Sequence, residues 1–286
     1  MKITMRVILT CLLAGGCATT PKIDDTSSTK IDESAAANFK LKITTANSLS
    51  GLADYNFKGQ AFKAQWISCV VDPKRPFIAV FHGQTEFDSS TFCSDWTAQA
   101  VLQNGFNAVA VNRPSFGLST GKDDFSGPQS VAAAIQGMKA ANGNNPVIGF
   151  WGFDTGTITA AFAAKSTPNL KWLLLGNGFY DLEVVERTTK SDNVKKHIET
   201  QKALAGDAAL ENRSIAWDAS GLPKIISIYH SSQDEIAPKA QAEAFNDQLR
   251  TVQTKVFFDA VEGVGHEIPW QSHFLIVSKS IKKITQ

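Results

Sequence analysis

Residues 146–165 read PVIGFWGFDTGTITAAFAAK. Residues 146–153 form a short apolar run, which is typical of a strand buried inside a sheet. The residues after Gly156 are rich in Ala and Thr and contain no helix breaker, so they favour a helix. Gly152 and Gly156 fit a turn at which strand and helix approach too closely for side chains. The sequence therefore predicts a strand–turn–helix unit in which Asp154 has a strained backbone.

Asp154 has two interpretations at this position. Aspartate is a good helix N-cap, because its carboxylate accepts hydrogen bonds from the free amides of the first turn. A Gly-x-X-x-Gly turn between strand and helix can also hold a nucleophile above the sheet. The five residues alone leave both interpretations open.

The first 17 residues have the features of a secretory signal. Lys2 and Arg6 precede an apolar stretch at residues 7–14, which is too short to span a membrane. Residues 13–17, LAGGC, resemble a bacterial lipobox, which implies cleavage before Cys17 and a lipid anchor on it; simple secretion is the alternative. Ala18 implies, by the same resemblance, a place in the cell envelope at the outer membrane, facing the periplasm.

The rest of the chain divides into a tether and one domain. Residues 18–37 are polar and small, which predicts a flexible tether. Residues 38–286 are a usual length for a single α/β domain. The 28 basic and 27 acidic residues nearly cancel and no basic cluster is visible, so nucleic acid is not an expected partner.

Within residues 38–286, apolar strand-like segments alternate with helical ones. Besides residues 146–153, the predicted strands are 39–44, 63–71, 76–81, 106–111, 172–175, 224–229 and 255–258. The predicted helices, besides the one after Gly156, are 90–103, 128–141, 238–249 and 272–284. This alternation predicts an α/β fold with a doubly wound, mostly parallel sheet of about eight strands. Residues 179–223 are predicted to form a short helical cap insertion.

Two later motifs follow predicted strands. Residues 230–238 read HSSQDEIAP and residues 262–269 read EGVGHEIP. With the turn at Asp154, they place a carboxylate, a second acid and a histidine in the chain order of a hydrolytic triad. These motifs resemble those of the α/β-hydrolase superfamily, above all its dienelactone-hydrolase and acyl-peptidase branch.

The resemblance assigns a role to each motif. Asp154 stands where most members have the nucleophilic Ser, and Asp234 would orient His266. Asp234 could instead only close a turn before Pro238, and Asp181 is the reserve acid. The backbone amides of Thr155 and Gln84 would form the oxyanion hole.

The remaining histidines and cysteines have simpler interpretations. His82 and His230 are expected to be structural or part of the oxyanion loop, and His197 and His273 to lie at the surface. Cys69 and Cys93 are either two small buried side chains, the slightly favoured interpretation, or a disulfide, which export permits. The sequence has no metal-spaced Cys/His group and no phosphate-binding glycine loop, so no metal or other cofactor is expected.

An aspartate at the turn changes the expected chemistry. Attack of a carboxylate on a carbonyl would give a high-energy anhydride, whereas attack on a saturated carbon of a haloalkane or epoxide gives an ester. Water activated by His266 would then cleave that ester, as in the dehalogenase and epoxide-hydrolase members of the superfamily. However, Thr155 replaces the Trp with which dehalogenases usually hold halide, and residues 179–223 are short for a Tyr-bearing cap.

We therefore predict a hydrolase that acts on a small-molecule substrate, ester-like or electrophilic, through Asp154, His266 and Asp234. Asp154 would either react with an electrophile or act in general-base attack of water on an ester. One alternative is a relative that has lost catalysis and binds a ligand or partner in the cell envelope. Another is a hydrolase with a different nucleophile, such as Thr155.

Overall fold

The computed structural model of this protein describes residues 24–31, 33–143, 145–252 and 255–286. The predicted signal and Cys17 lie outside the described residues. Within the described ranges, every helix is too short or too polar to cross a membrane.

Nine strands form a single sheet in the described part of the chain. They are β1 Asp24–Lys30, β2 Asn47–Phe57, β3 Gln60–Val70, β4 Phe77–Phe81, β5 Asn107–Val111, β6 Val147–Phe153, β7 Trp172–Gly176, β8 Ile225–Ser231 and β9 Lys255–Glu262. Their order across the sheet is β1-β9-β8-β7-β6-β4-β5-β3-β2. All neighbours from β1 to β5 are parallel, and β3 and β2 close the far edge as an antiparallel pair. The predicted mostly parallel α/β fold is confirmed, with nine strands instead of about eight.

Helices cover both faces of the sheet. They are α1 Glu33–Asn38, α2 Trp96–Leu102, α3 Pro128–Asn142, α4 Gly156–Lys165, α5 Leu182–Thr188, α6 Asp192–Ala205, α7 Ala208–Glu211, α8 Lys239–Thr251 and α9 Trp270–Thr285. Helices α3, α4 and α8 bury apolar side chains in the core on one face, and α2 and α9 do so on the other. Because the central strands are buried on both faces, they appear in the sequence as continuous apolar runs.

Residues 39–44 are not a strand, contrary to the prediction. Phe39 packs on Phe274 of α9, with ring centroids 5.0 Å apart. The backbone of Thr44 exchanges hydrogen bonds with the Gln99 side chain, at 2.7 and 3.0 Å. The apolar residues of this segment therefore reflect packing of an irregular segment against α2 and α9, and not sheet pairing.

The predicted tether at 18–37 is corrected over its described residues. Strand β1 pairs in parallel with β9 at the edge of the sheet, and α1 follows it. The Thr29 hydroxyl donates to the Asp259 carboxylate at 2.7 Å. An edge strand can be polar because water solvates its open side. Strand β1 therefore has no apolar pattern from which it could be predicted.

A disulfide joins Cys69 on β3 to Cys93, with an S–S length of 2.04 Å. Cys93 lies in the 3₁₀ helix Phe92–Ser94, directly before α2. This is the alternative that the sequence left open. The bridge fixes the start of α2 to the sheet, next to the site described below.

Candidate active site

The predicted turn lies between β6 and α4, at the carboxyl edge of the parallel sheet. Asp154 has a φ of +52°, the left-handed conformation that β-carbon-bearing residues rarely adopt. A Cβ on Gly152 would lie 2.5 Å from the carbonyl oxygen of Gly156, and one on Gly156 would collide with the backbone of Phe81 and His82. Both glycines are therefore required by the close approach of β6, α4 and the end of β4.

Asp154, His266 and Asp234 meet above this turn. The Nδ1 atom of His266 lies 2.8 Å from Oδ2 of Asp234, and its Nε2 atom lies 3.3 Å from Oδ1 of Asp154. The Asp234 side chain is fully buried, whereas that of Asp154 is 19% exposed and faces the cleft. The imidazole therefore bridges a buried carboxylate and an accessible one.

The loop after β8 holds Asp234 by its other oxygen. Oδ1 accepts hydrogen bonds from the amides of Ile236 and Ala237, at 2.9 and 2.8 Å. His230, buried beside it, makes a 2.7 Å hydrogen bond to the carbonyl oxygen of Ala237 through Nε2. Burial lowers the pKa of His230 to about 4, so this ring is neutral and acts as a brace for the loop.

Asn177, which the sequence analysis did not single out, fixes the loop that carries His266. Its side-chain amide donates to the carbonyl oxygen of His266 at 2.5 Å and to the Ser231 hydroxyl at 2.9 Å. Its φ of +41° is a conformation for which Asn is enriched. Only its position directly after β7, at the carboxyl edge of the sheet, could have drawn attention to it.

Two carboxylates determine the charge of His266. Burial lowers the pKa of this imidazole, but the interactions with Asp154 and Asp234 outweigh burial and raise the pKa to about 10. At neutral pH the resting site therefore contains an imidazolium between two carboxylates.

The loop after β4 approaches Asp154 from the other side. A Cβ on Gly83 would collide with the Asp154 carboxylate, so this position requires glycine. The carbonyl oxygen of Gly83 accepts a 2.6 Å hydrogen bond from the buried guanidinium of Arg113. Because a trans peptide directs its C=O and N–H to opposite sides, this bond turns the Gln84 amide away from Arg113.

His82 braces the same loop. It is fully buried, its Nδ1 lies 3.1 Å from the Gly83 oxygen, and its Nε2 accepts a 3.0 Å hydrogen bond from the Arg113 amide. Burial and then the charge of Arg113 lower the pKa of His82, which keeps the ring neutral. Within the described ranges, neither the Gln84 nor the Thr155 amide has a hydrogen-bond acceptor.

These groups line a cleft of about 600 Å³. Its walls come from the loop after β4, the start of α2, the turn at Asp154, the loop before α9 and helix α6. Its lining includes Gln84, Glu86, Asp88, Asp95, Trp96, Phe125, Phe153, Asp154, Thr155, Val194, His197, His266, Glu267, Trp270 and His273. Helices α5, α6 and α7 occupy the segment predicted to form a cap, and α6 brings Val194 and His197 over the cleft.

Other residues have structural positions that differ from the sequence interpretation. Asp181, the reserve acid, caps α5 by accepting from the amides of Glu183 and Val184. His273 is not a surface residue: its Nε2 lies 2.7 Å from the Tyr229 hydroxyl, which accepts from the Trp151 indole. The Thr155 hydroxyl is buried and has no hydrogen-bond partner in the described residues, which gives it no base for nucleophilic attack.

The parallel sheet, the glycine-flanked turn after β6 and the His and Asp loops at its carboxyl edge define an α/β-hydrolase fold. Among solved structures, the chain is similar to carboxyl esterase 2 from the fungus Tuber melanosporum (TM-score 0.64, 14% identity, 94% of this chain and 93% of that chain). It is also similar to the Pyrococcus horikoshii acylaminoacyl peptidase (TM-score 0.64, 15% identity, 85% of this chain and 42% of that chain).

A third similar structure is a Mycobacterium tuberculosis puromycin-hydrolyzing peptidase (TM-score 0.64, 17% identity, 84% of this chain and 38% of that chain). The chain thus spans about two fifths of the length of these peptidases and nearly all of the esterase. No protein-family model and no curated protein matches the sequence. At these identities the likeness establishes the fold and not the reaction.

Proposed function

We propose that the protein is a hydrolase in which Asp154 is the nucleophile and His266, oriented by Asp234, transfers the protons. The observation that carries the proposal is the pair of distances from the His266 ring, 3.3 Å to Asp154 and 2.8 Å to Asp234. Asp154 and His266 line the cleft, whereas the Asp234 side chain is fully buried. The substrate is a small molecule with an ester-like or otherwise electrophilic carbon.

In the first step, an oxygen of Asp154 attacks a carbon that bears an oxygen leaving group, as in an epoxide. A new C–O bond forms, the old one breaks, and its electron pair leaves with the departing oxygen. Because His266 is protonated in the resting site, it donates a proton to that oxygen. The product of the step is an ester on Asp154 and a neutral His266.

In the second step, water cleaves the ester. Esterification removes the negative charge of Asp154, and with it one of the interactions that raise the pKa of His266. The imidazole is then suited to accept a proton from the attacking water, with Asp234 stabilising the resulting imidazolium. The amides of Thr155 and Gln84, which are free of other acceptors in the described residues, would stabilise the oxyanion formed from the Asp154 ester. Hydrolysis restores the Asp154 carboxylate and the His266 imidazolium, so the proton balance closes over the cycle.

A second candidate function is ligand binding without turnover. The observation that favours it is the pKa of His266, about 10, because an imidazolium cannot serve as a base for attack on an ordinary ester. The two functions differ in whether a covalent ester forms on Asp154.

Intact-protein mass spectrometry distinguishes the two. The native protein and the His266→Gln variant would be incubated with styrene oxide, a haloalkane and an activated ester. The proposal predicts an adduct of one reagent's mass that maps to Asp154. With the haloalkane, whose leaving group needs no proton, the adduct should accumulate in the Gln variant, where water is not activated. Asp154→Asn is the matched control and should stay unmodified. Absence of any adduct on Asp154 with all three reagents would favour the binding function.

We further propose that the protein is a lipoprotein of the bacterial cell envelope, anchored through Cys17 in the outer membrane and facing the periplasm. The support is the LAGGC sequence after a short charged and then apolar segment, since two acyl chains give stable anchoring. Replacing Cys17 with Ser should move the protein from the membrane to the soluble fraction. Detergent-dependent partitioning of that variant would contradict the anchor.

A further inference from the structure

The cleft over Asp154 is lined by several carboxylates. Its lining includes five carboxylates, from Glu86, Asp88, Asp95, Asp154 and Glu267, and among the described residues it includes no Lys or Arg. The positive charge of His266 lies between Asp154 and buried Asp234, so it does not offset the charges of the other carboxylates.

Three of the four carboxylates around Asp154 accept hydrogen bonds from neighbouring groups. Asp95 accepts from the amide of Thr97, Asp88 from the amide and hydroxyl of Ser90, and Glu86 from the amide of Gly117. These donors are neutral, and in the described part of the chain none of the four carboxylates, Glu267 included, forms an ion pair. A cleft lined by charges of one sign concentrates ligands of the opposite sign.

Aromatic rings form the wall between these charges. The rings of Trp96 and Phe153 lie 6.5 Å apart at 45°, and Phe153 directly precedes Asp154. The His273 ring packs on Trp96 at 4.6 Å. Trp270, 39% exposed, lines the cleft at the start of α9.

His273 adds no positive charge to this wall. Burial, and then the charge of His266, lowers the pKa of His273 to about 3. The wall therefore offers aromatic faces and a neutral ring beside carboxylates, which is the environment that binds an organic cation.

From the cleft lining we propose that the ligand of this site is an organic cation, a quaternary ammonium or protonated amine with a small apolar body. The cationic group lies against Trp96 and Phe153, and the neighbouring carboxylates balance its charge. The cleft volume of about 600 Å³ suits a small ligand of this class. As the substrate class of the proposed hydrolase, the inference rests on that function, but cation binding needs no turnover.

The test compares choline with 3,3-dimethylbutan-1-ol, which has the same shape without the charge. Binding to the native protein would be measured by isothermal titration calorimetry and by quenching of tryptophan fluorescence. We expect choline to bind roughly tenfold more tightly than the alcohol. Choline binding should weaken when the salt concentration is raised. Equal binding of the two molecules would overturn the proposal.

Variants assign the binding to the cleft. The double change Asp95→Asn and Glu267→Gln should weaken choline binding and leave binding of the alcohol unchanged. The fold should be kept, because Asn still caps α2. Asp54→Asn, which removes an exposed carboxylate on β2 outside the cleft lining, is the matched control. Trp96→Leu should weaken choline binding, whereas Trp96→Phe, which keeps an aromatic face, should retain most of it. Choline affinity unchanged in both the charge and the Trp96→Leu variants would contradict the site.

The two proposals fail in different ways. Choline binding without an adduct on Asp154 would leave the cation site standing and refute the hydrolase. An Asp154 adduct that forms as readily from a neutral epoxide as from glycidyltrimethylammonium would leave the hydrolase standing and refute the cation preference.

Discussion

The Nε2 atom of His266 lies 3.3 Å from Oδ1 of Asp154, the residue in the left-handed conformation between β6 and α4. A serine there would be neutral and would give up a proton to the histidine. The aspartate already lacks a proton to give, and its charge holds a proton on the imidazole instead. In the proposed mechanism, this one relationship sets the pH behaviour, the reaction class and the effect of changing residue 154.

Replacing Asp154 with Asn should lower the pKa of His266 from its native value of about 10, because one of the two carboxylate partners is lost. The measurement is an NMR titration of the histidine side chains in both proteins. Asp54→Asn serves as the control, since Asp54 pairs with Lys63 on the β2–β3 hairpin. An unchanged titration in Asp154→Asn would show that Asp154 does not interact with the ring.

The same pKa predicts how stability depends on pH. The pKa of His266 is higher in the folded protein than the value of about 6.5 in an unfolded chain. Its contribution to the free energy of unfolding is therefore fully present below about pH 6.5 and is lost as the pH rises towards about 10. Denaturant unfolding across this range should show a steeper loss for the native protein than for Asp154→Asn. Parallel curves would contradict the assignment.

Replacing Asp154 with Ser should create activity on p-nitrophenyl acetate. The serine would occupy the turn between β6 and α4, beside the Thr155 and Gln84 amides, which have no hydrogen-bond acceptor in the described residues. His266 would become a usable base because Asp154 no longer raises its pKa. A single oxyanion donor is worth roughly a hundredfold in rate, so a large gain over Asp154→Ala is expected. Faster hydrolysis by the native protein than by the Ser variant would contradict this account of the charge.

Loss of the Cys69–Cys93 bridge should lower the free energy of unfolding by about 3 kcal/mol, because the bridge closes a chain segment of 24 residues. The double variant Cys69→Ser, Cys93→Ser should unfold at lower denaturant than the native protein, and reduction of the native protein should reproduce the shift. Since Cys93 directly precedes α2, the cleft wall at Trp96 should also loosen, seen as faster amide exchange there. Identical unfolding curves would contradict a structural role.

Strands that are buried on both faces of the sheet could be predicted from the sequence. Strands β4, β6 and β7 are continuous apolar runs, and Gly152 and Gly156 are required by backbone contact, so both features are visible in the sequence. The edges were not predictable in this way. Strand β1 is polar because one side faces water, and the apolar residues 39–44 pack on helices without pairing.

Some features of the site could likewise be predicted from the sequence, and others required the structure. Asp154, Asp234 and His266 could be predicted to lie together because each follows a buried strand, and parallel strands bring their carboxyl ends to one edge. Asn177 and the wall formed by Trp96 and Phe153 depend on tertiary contacts between distant segments. The charge of His266 could not be predicted from the sequence either, because it depends on how closely two carboxylates approach the ring.

The most direct test of the central claim, that Asp154 is the nucleophile, is a single turnover in water enriched in oxygen-18. The native protein, in molar excess over the epoxide that forms the adduct, would be digested afterwards and the peptide containing Asp154 analysed by mass spectrometry. The account predicts that the label enters the Asp154 carboxylate, because water cleaves the ester at the Asp154 carbonyl, and that the first product molecule carries an unlabelled oxygen. Label found in the product and not in the Asp154 peptide would contradict it, since water would then have attacked the substrate directly.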